Sequence, residues 1–454
     1  ANSGMNLFNN KVKLNIYQII ALVYFNIILI GSILLVLPIS YRSDTSVSFM
    51  TAFFTATSAV CVTGLSLVDI YTTYTLFGQA VVLLLIEIGG LGFMSFVSIL
   101  IHLTRHQNNV QALTLTAESL GSDTLMKSIG RIQKRLIIGS AFFQTLGAAI
   151  LFLNFLPLMK WDKAIWFGLF HSVSAFCNAG FDLMGMFAKG SSLITFFNNP
   201  VVLITISVLI IVGGLGFVVW DNIVSSKSIR DWSIYTKLVL FATTFLIVIG
   251  TIMFYFFECN NAASIGNYST ANKVVNSIFQ AVTPRTAGFA AIEQCNLTDN
   301  SIALTSILML IGGSTGSTAG GIKTVTFLIL VKAILSSAIE KKNVTLLKRT
   351  ISQEQINQAY TLASCFIVFA IGGGFILSTT SGLRLTDCLF ECMSALATVG
   401  LSLGITSSVS TVSKVVLIVF MFIGRVGLLT LTIGFFKVKE NPAIKYPSVK
   451  LFIG

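Results

Sequence analysis

Charge is scarce in this chain. Only 10% of its 454 residues are Asp, Glu, Lys or Arg, against roughly 25% in a soluble globular domain. Hydrophobic residues make up 54%, and the mean hydropathy is +0.87. A chain of this size cannot hide so much apolar side chain from water, so its surrounding solvent must be lipid. Catalytic groups are scarce as well. The three histidines are His102, His106 and His171; the first two flank Arg105 on a polar stretch and read as solvated. No Walker phosphate loop, dinucleotide fingerprint or pump phosphorylation motif occurs, which excludes use of ATP by the chain itself. The segment Gly312–Gly316 matches G-x-S-x-G, but apolar helices flank it where a nucleophile elbow needs a strand, a helix and a histidine base. The chain therefore does not read as an enzyme. Its seven cysteines have no metal-ligand spacing and lie mostly in apolar segments, where a thiol is small filler. A disulfide between Cys259 and Cys295, both near the outer side of the third quarter, is left open.

The net charge of +12 could suggest nucleic acid, but its distribution excludes that reading. Basic residues cluster between apolar runs, in Arg105 to Arg135, Lys227 to Lys237, Lys341 to Arg349 and Lys437 to Lys450, with Lys11 and Lys13 ahead of the first run. The alternate connections carry acids, among them Asp44, Asp69, Asp162, Asp182, Glu258, Glu293, Asp299, Asp387 and Glu391. By the positive-inside rule the basic loops and both termini are expected in the cytoplasm, and the chain is expected to be a multi-pass plasma-membrane protein. An acidic outer face concentrates cations. Residues 1–4 precede Met5 and read as a tag remnant, and the apolar run from Ile16 to Leu37 lacks a cleavage site, so it is expected to stay as a span.

One phrase is written four times. It occurs as Ser58-Ala-Val-Cys-Val62-Thr63-Gly64, Ser174-Ala-Phe-Cys-Asn178-Ala179-Gly180, Val282-Thr-Pro-Arg-Thr286-Ala287-Gly288 and Ser394-Ala-Leu-Ala-Thr398-Val399-Gly400. A recurrence about every 110 residues with a fixed internal order means one module used four times. Each quarter reads as a long apolar helix, a short half-helix, the glycine phrase and a second long helix. The first long helices are expected near 16–38, 133–157, 235–258 and 357–379, and the second near 77–101, 200–224, 302–338 and 412–436. The apolar stretches 47–60, 163–176, 272–283 and 384–396 are too short to cross, so they must enter and turn back. The expected fold is an all-α integral membrane protein with fourfold pseudo-symmetry, eight transmembrane helices and four re-entrant half-helices. Its divisions are 5–130, 131–230, 231–350 and 351–437, followed by a cytoplasmic tail at 438–454. That tail ends on apolar Leu451, Phe452 and Ile453 beside Lys450, which suggests packing against a second copy or a partner.

Four modules around an axis give one chain a tetrameric-style pore. A re-entrant backbone is tolerated only where protein buries it or water lines it. A half-helix ending at mid-membrane points its partly negative carbonyl end inward, which favours a cation. Glycine then permits an extended turn without a Cβ clash, and stacked carbonyls replace the hydration shell of a monovalent ion. No acid stands in any of the four phrases, which argues against calcium or magnesium.

In this order and in these phrases the chain resembles the Trk/Ktr/HKT potassium transporter superfamily, most of all the Ktr transmembrane pore-forming subunit. The resemblance runs from about residue 12 to the end and is carried by phrases such as Thr283-Pro284-Arg285-Thr286-Ala287-Gly288-Phe289. It implies a selectivity filter with glycines at Gly64, Gly180, Gly288 and Gly400, whose backbone carbonyls from Val62, Asn178, Thr286 and Thr398 onward bind potassium. A serine at the first of these positions accompanies sodium preference in plant relatives, so Gly64 favours potassium. The resemblance also implies potassium as substrate without any cofactor, a homodimer, and a cytosolic nucleotide-binding ring of the RCK type. Sodium coupling is left open. The potassium-translocating subunit of a pump and, further off, an integral-membrane lipid enzyme are the alternatives.

Residues 302–338 would make one helix about 55 Å long, too long for a single span. Within them lie Gly312, Gly313, Ser314, Thr315, Gly316, Ser317, Thr318, Ala319, Gly320 and Gly321, which are poor helix formers, so the helix should break there. The other quarters carry only the shorter glycine runs at Gly89, Gly213 and Gly424. In relatives of the Ktr type this stretch is an intramembrane gate loop, and the resemblance implies the same here. Arg425 lies mid-span and is expected at loop depth, donating to loop carbonyls and repelling cations when the loop is closed. Arg285 is expected to brace the carbonyls behind the third filter segment. Glu87 stands unpaired in the sequence and is given no role.

Overall fold

A computed structural model describes residues 16–104 and 129–427, apart from 342 and 348. The expectations for the N-terminal residues, the loop around His106 and the tail from 438 fall outside these residues. The chain is mostly helical. The helices are α1 Ile16–Val36, α2 Phe49–Val60, α3 Leu76–Thr104, α4 Ile129–Phe155, α5 Trp161–Phe176, α6 Pro200–Leu215, α7 Phe217–Ser225 and α8 Ile234–Glu258. They continue with α9 Thr270–Val282, α10 Asp299–Leu310, α11 Thr324–Ala338, α12 Gln353–Ser381, α13 Leu385–Leu396 and α14 Thr411–Val426. A small hairpin of β1 Thr345–Leu346 and β2 Arg349–Thr350 joins α11 to α12, with Thr345 opposite Thr350.

Helix starts are fixed by side-chain caps. The hydroxyls of Ser48, Ser233, Ser269, Thr298, Ser352 and Ser410 each accept from a backbone N–H three residues on. Asn199 does the same ahead of Pro200. Among the described residues, four helical segments are long and apolar enough to cross a membrane: Gln18–Val36, Arg135–Phe155, Ile234–Glu258 and Gln353–Ser381. Their outward faces are apolar, with Phe25 and Ile33 on α1, Phe142 on α4, Phe241 and Phe256 on α8 and Val368 on α12 all exposed. An exposed apolar surface of that extent matches hydrocarbon rather than water.

The four short helices α2, α5, α9 and α13 are the buried ones. Each packs against the long helix before it, as α1–α2, α4–α5, α8–α9 and α12–α13. Each also touches a helix from a neighbouring quarter, and these contacts run in one sense: α5 on α3, α9 on α6, α13 on α10, and α2 on α14. The chain thereby closes on itself. Phe54, Phe167, Phe176, Phe279 and Phe390 are fully buried around the four short helices.

One expectation needs correction, and one open question is answered. The stretch 200–224 is not one helix: α6 and α7 meet at Gly216 with a 90° bend. Gly216 has φ +87, a conformation glycine adopts without strain, and a Cβ there would stand 2.3 Å from Ser314 Oγ. The break is held from outside, since Phe217 N–H donates to Gly316 O at 3.1 Å. Symmetry is therefore not broken in the third quarter alone. Cys259 and Cys295 are both free thiols, so no disulfide links them.

Candidate functional site

The four glycine phrases follow the C-termini of α2, α5, α9 and α13, and their backbones repeat one conformation. The residue two before each glycine is left-handed although it carries a side chain: Val62 at φ 57, Asn178 at 60, Thr286 at 73 and Thr398 at 53. Such residues are uncommon, and for β-branched Val and Thr they are strained, persisting only where the surroundings dictate them. The glycines follow at φ 94 for Gly64, 69 for Gly180, 79 for Gly288 and 93 for Gly400.

Hydrogen bonds show what dictates this shape. Thr63 N–H donates to Ser58 O, Ala179 N–H to Ser174 O and Val399 N–H to Ser394 O, each at 2.8 Å. In the third loop Ala287 N–H donates to Thr283 O at 3.0 Å. Hydroxyls add a second tie. Ser58 and Ser394 accept from Gly64 N–H and Gly400 N–H at 3.1 and 3.0 Å, while Ser174 and Thr283 donate to Phe181 O and Phe289 O at 2.7 and 2.5 Å. The N–H groups thus turn back to the half-helix. None of the carbonyls of Val62, Thr63, Asn178, Ala179, Thr286, Ala287, Thr398 and Val399 accepts a hydrogen bond from the described residues. All eight residues are buried, and a buried carbonyl without a donor is costly unless another positive group takes its place.

The loops meet in a cycle. A Cβ on Gly64 would stand 2.5 Å from Ala179 O, one on Gly180 2.7 Å from Ala287 O, one on Gly288 2.4 Å from Val399 O, and one on Gly400 2.1 Å from Thr63 O. Each glycine therefore lies against the next loop's carbonyl, and the fourth returns to the first. The sequence reading named the residues of this cycle. It passed over the hydroxyl anchors Ser58, Ser174, Thr283 and Ser394, although a Ser or Thr near the head of every phrase was the available signal.

The segment between α10 and α11 leaves the helical path and folds beneath the cycle, where a Cβ on Gly320 would meet Thr398 Oγ1 at 2.0 Å. Gly312 N–H donates to Ile322 O at 2.9 Å and Thr324 N–H to Gly313 O at 3.0 Å, which pinches the two ends together. Neighbouring quarters hold the middle. Ser314 N–H and Thr318 N–H donate to Gly214 O and Gly213 O at 3.0 and 3.4 Å, and Tyr235 donates to Thr315 O at 3.2 Å. Ser317 donates its hydroxyl to Ser314 O at 2.7 Å, inside the loop itself.

Three cations also grip this loop. Arg425 donates to Thr318 O at 2.5 Å and also to Gly89 O and Gly90 O of α3. Lys323 donates to Ala319 O at 2.7 Å. Arg285, expected to brace filter carbonyls, reaches the loop instead, with Nη2 donating to Gly312 O at 3.3 Å. Arg285 stands past the end of α9, within the third glycine phrase itself, and its hydrogen bond goes to the loop and not to a carbonyl of the phrase. Glu87 is not unpaired: Gln144 donates to its Oε1 and Oε2 at 3.2 and 3.0 Å, and the Cys177 thiol donates at 3.3 Å. It stands behind the second loop.

Past Gly180, Asp182 accepts from Met184 N–H at 2.9 Å. Burial pushes its carboxyl up to about 7 and the nearby Asp69 adds to the rise, against the hydrogen bonds from Met184 and Ser192. His171 on α5 is fully buried, with Nδ1 at 2.7 Å from Phe167 O and Nε2 accepting from Leu183 N–H at 3.2 Å. It is a structural histidine.

The chain is similar to known proteins. Residues 11–446 match the TrkH family, described as cation transport proteins. The chain is 36% identical to Ktr system potassium uptake protein B of Bacillus subtilis, over 96% of each chain. It is also 36% identical to potassium/sodium uptake protein NtpJ of Enterococcus hirae, over 98% of each. The crystal structure of the potassium transporter TrkH from Vibrio parahaemolyticus superposes with a TM-score of 0.74, covering 94% of this chain and 86% of that one at 18% identity, which is a likeness of fold. With a family match over nearly its whole length, and relatives of this identity aligned end to end, the chain belongs to the TrkH family of cation transport proteins.

Proposed function

We propose that this protein takes up potassium across a bacterial plasma membrane through a channel-like pore. The observation that carries this reading is the closed cycle of the four loops, with the buried carbonyls of Val62, Thr63, Asn178, Ala179, Thr286, Ala287, Thr398 and Val399 meeting no donor among the described residues. A dehydrated monovalent cation at the centre of the cycle satisfies them. In this reading the four quarters are fourfold pseudo-symmetric modules with eight spans and four re-entrant half-helices, and the basic loops and termini are cytoplasmic. The loop 312–321, gripped by Arg285, Lys323 and Arg425, is the gate. Three positive charges beneath a cation path repel the ion as well as fixing the loop.

The relatives of the Ktr type are named as one component of a system, which supports a partner for this chain. The partner proposed is a cytosolic nucleotide-binding ring of the RCK type docking on a homodimer. The name of the Enterococcus relative supports sodium as a second transported or coupling ion.

Proteoliposomes test this directly. The purified chain should take up potassium or its tracer rubidium down a gradient, with potassium suppressing tracer uptake far below the sodium concentration needed for the same effect. Equal suppression by the two ions, or no uptake above empty vesicles, would refute the reading. The same vesicles check the mouth. Asp182 becomes neutral as external pH falls through about 7, so its attraction for cations weakens there. Half-saturation for potassium should rise by about twofold between pH 8 and 6, an electrostatic change of roughly half a kcal/mol at a partly screened site. Asp182→Asn should show the weaker value at both pH values. A half-saturation in Asp182→Asn that still moves with pH places the titrating group elsewhere.

A further inference from the structure

Beyond the glycine in the second, third and fourth quarters the chain is tied back to its half-helix by a side chain, and the tie in the fourth quarter differs in kind. In the second quarter His171 accepts from Leu183 N–H. In the third, Gln280 and Gln294 exchange hydrogen bonds at 2.8 and 3.3 Å. Both ties are neutral amides or rings with their groups satisfied. In the fourth quarter the residue on the half-helix is Glu391, which is fully buried. Its Oε1 accepts from the Thr406 hydroxyl, and the hydroxyls of Thr406 and Ser402 stand 2.9 Å apart. Its Oε2 is buried without any hydrogen-bond partner.

The single ion pair among the described residues is Arg135–Asp221, so no basic side chain there neutralises Glu391. A proton on Oε2 would need an acceptor, and none is hydrogen-bonded to that atom in this arrangement. A carboxylate instead presents lone pairs at that atom, and a buried carboxylate demands a positive partner. No group of three His, Cys, Asp or Glu side chains that could hold a metal ion occurs among the described residues. One carboxylate with two hydroxyls suits a single positive charge, where a divalent ion takes several carboxylates.

We propose that Glu391, with the hydroxyls of Thr406 and Ser402, binds a sodium-sized monovalent cation beside the outer end of the carbonyl cycle. The ligands are side chains, two, six and nine residues from Gly400 and outside the cycle itself. Occupancy pins the segment after Gly400 to α13, so the ion sets the rigidity of the fourth loop. The inference rests on the pore reading only in placing the ion beside a cation path, and its test needs no flux.

Thermal unfolding of the full-length protein in detergent, with potassium held saturating and sodium exchanged for N-methylglucamine at constant ionic strength, reads the site apart from the cycle. The melting temperature should rise saturably with sodium in the parent. In Glu391→Gln, which keeps the size and the hydrogen bonding, the rise should vanish or need more than tenfold higher sodium. Thr406→Val removes one ligand and should weaken half-saturation about tenfold, which keeps the test alive where Glu391→Gln fails to fold. A parent indifferent to sodium, or variants that respond as the parent does, would overturn the site. A protein that takes up no tracer yet keeps this sodium response still supports the site and counts only against the pore.

Discussion

Removing residues 314–319 should raise potassium flux by at least tenfold and make it nearly independent of the cytosolic partner, without changing ion preference. The geometry allows the deletion to close. Gly312 and Gly320 already touch, since a Cβ on Gly312 would lie 2.0 Å from Gly320 O, and one on Gly313 would lie 2.6 Å from Ala319 Cβ. What is lost is the grip. Ser314 N–H and Thr318 N–H no longer meet Gly214 and Gly213, Tyr235 loses Thr315, and Arg425 loses Thr318. Neutral hydrogen bonds contribute about 0.5–1.5 kcal/mol each and those from a charged donor about 1.5–3. A handful is enough to hold the loop closed and few enough for a partner to release. Arg425→Ala should move flux the same way by a smaller factor, because Lys323 still holds Ala319 and Arg285 still holds Gly312. Tracer uptake by the two variants, with and without partner, checks both effects. A deletion variant that reaches the membrane but conducts no faster than the parent would show that the glycines serve packing.

Local pattern made the half-helices legible. Fourteen or so apolar residues ahead of a glycine cannot cross a bilayer, and α2, α5, α9 and α13 lie where that argument puts them. The interruption between α10 and α11 was legible for a related reason, because glycine and small hydroxyl residues in sequence oppose a helix. The bend at Gly216 was not. Its glycine run resembles the run at Gly89, where α3 continues as one helix. At Gly216 the partners are Ser314 and Gly316, about a hundred residues away in sequence; Ser314 packs against the glycine and Gly316 O accepts from Phe217 N–H. The same distance hid the partners of Arg285 and Glu87. Both side chains are recognisable in sequence as costly in a membrane, but their direction out of the helix depends on which neighbour packs there. The eight carbonyls could be named from the phrases. That the four loops meet in a closed cycle depends on α2 meeting α14, a contact between the first and fourth quarters.

The cycle gives Gly64 its sharpest test. Gly64→Ser should lower the preference for potassium over sodium by roughly tenfold while uptake itself continues. Two constraints act on that position. A side chain at φ 94 is strained, by about 1–2 kcal/mol for a left-handed residue. In addition, the new Cβ would stand 2.5 Å from Ala179 O and 3.1 Å from Gly180 Cα. Backbone on both sides must therefore move, and what moves is the second loop's carbonyl, not a flexible side chain. A shift of one carbonyl in the cycle widens it by a few tenths of an ångström and adds a hydroxyl that can contact a smaller ion. A change of about 1.4 kcal/mol in the difference between the two ions is tenfold in preference. The other three loops keep their anchors at Ser174, Thr283 and Ser394, so the cycle is distorted without collapsing. Competition of sodium and potassium for rubidium uptake reads the ratio. Gly64→Ala separates the two causes, since it keeps the Cβ clash and omits the hydroxyl. If Ala and Ser fall equally, geometry alone sets the preference; if only Ser falls, the hydroxyl is a ligand. An unchanged ratio in both would remove Gly64 from the ion path.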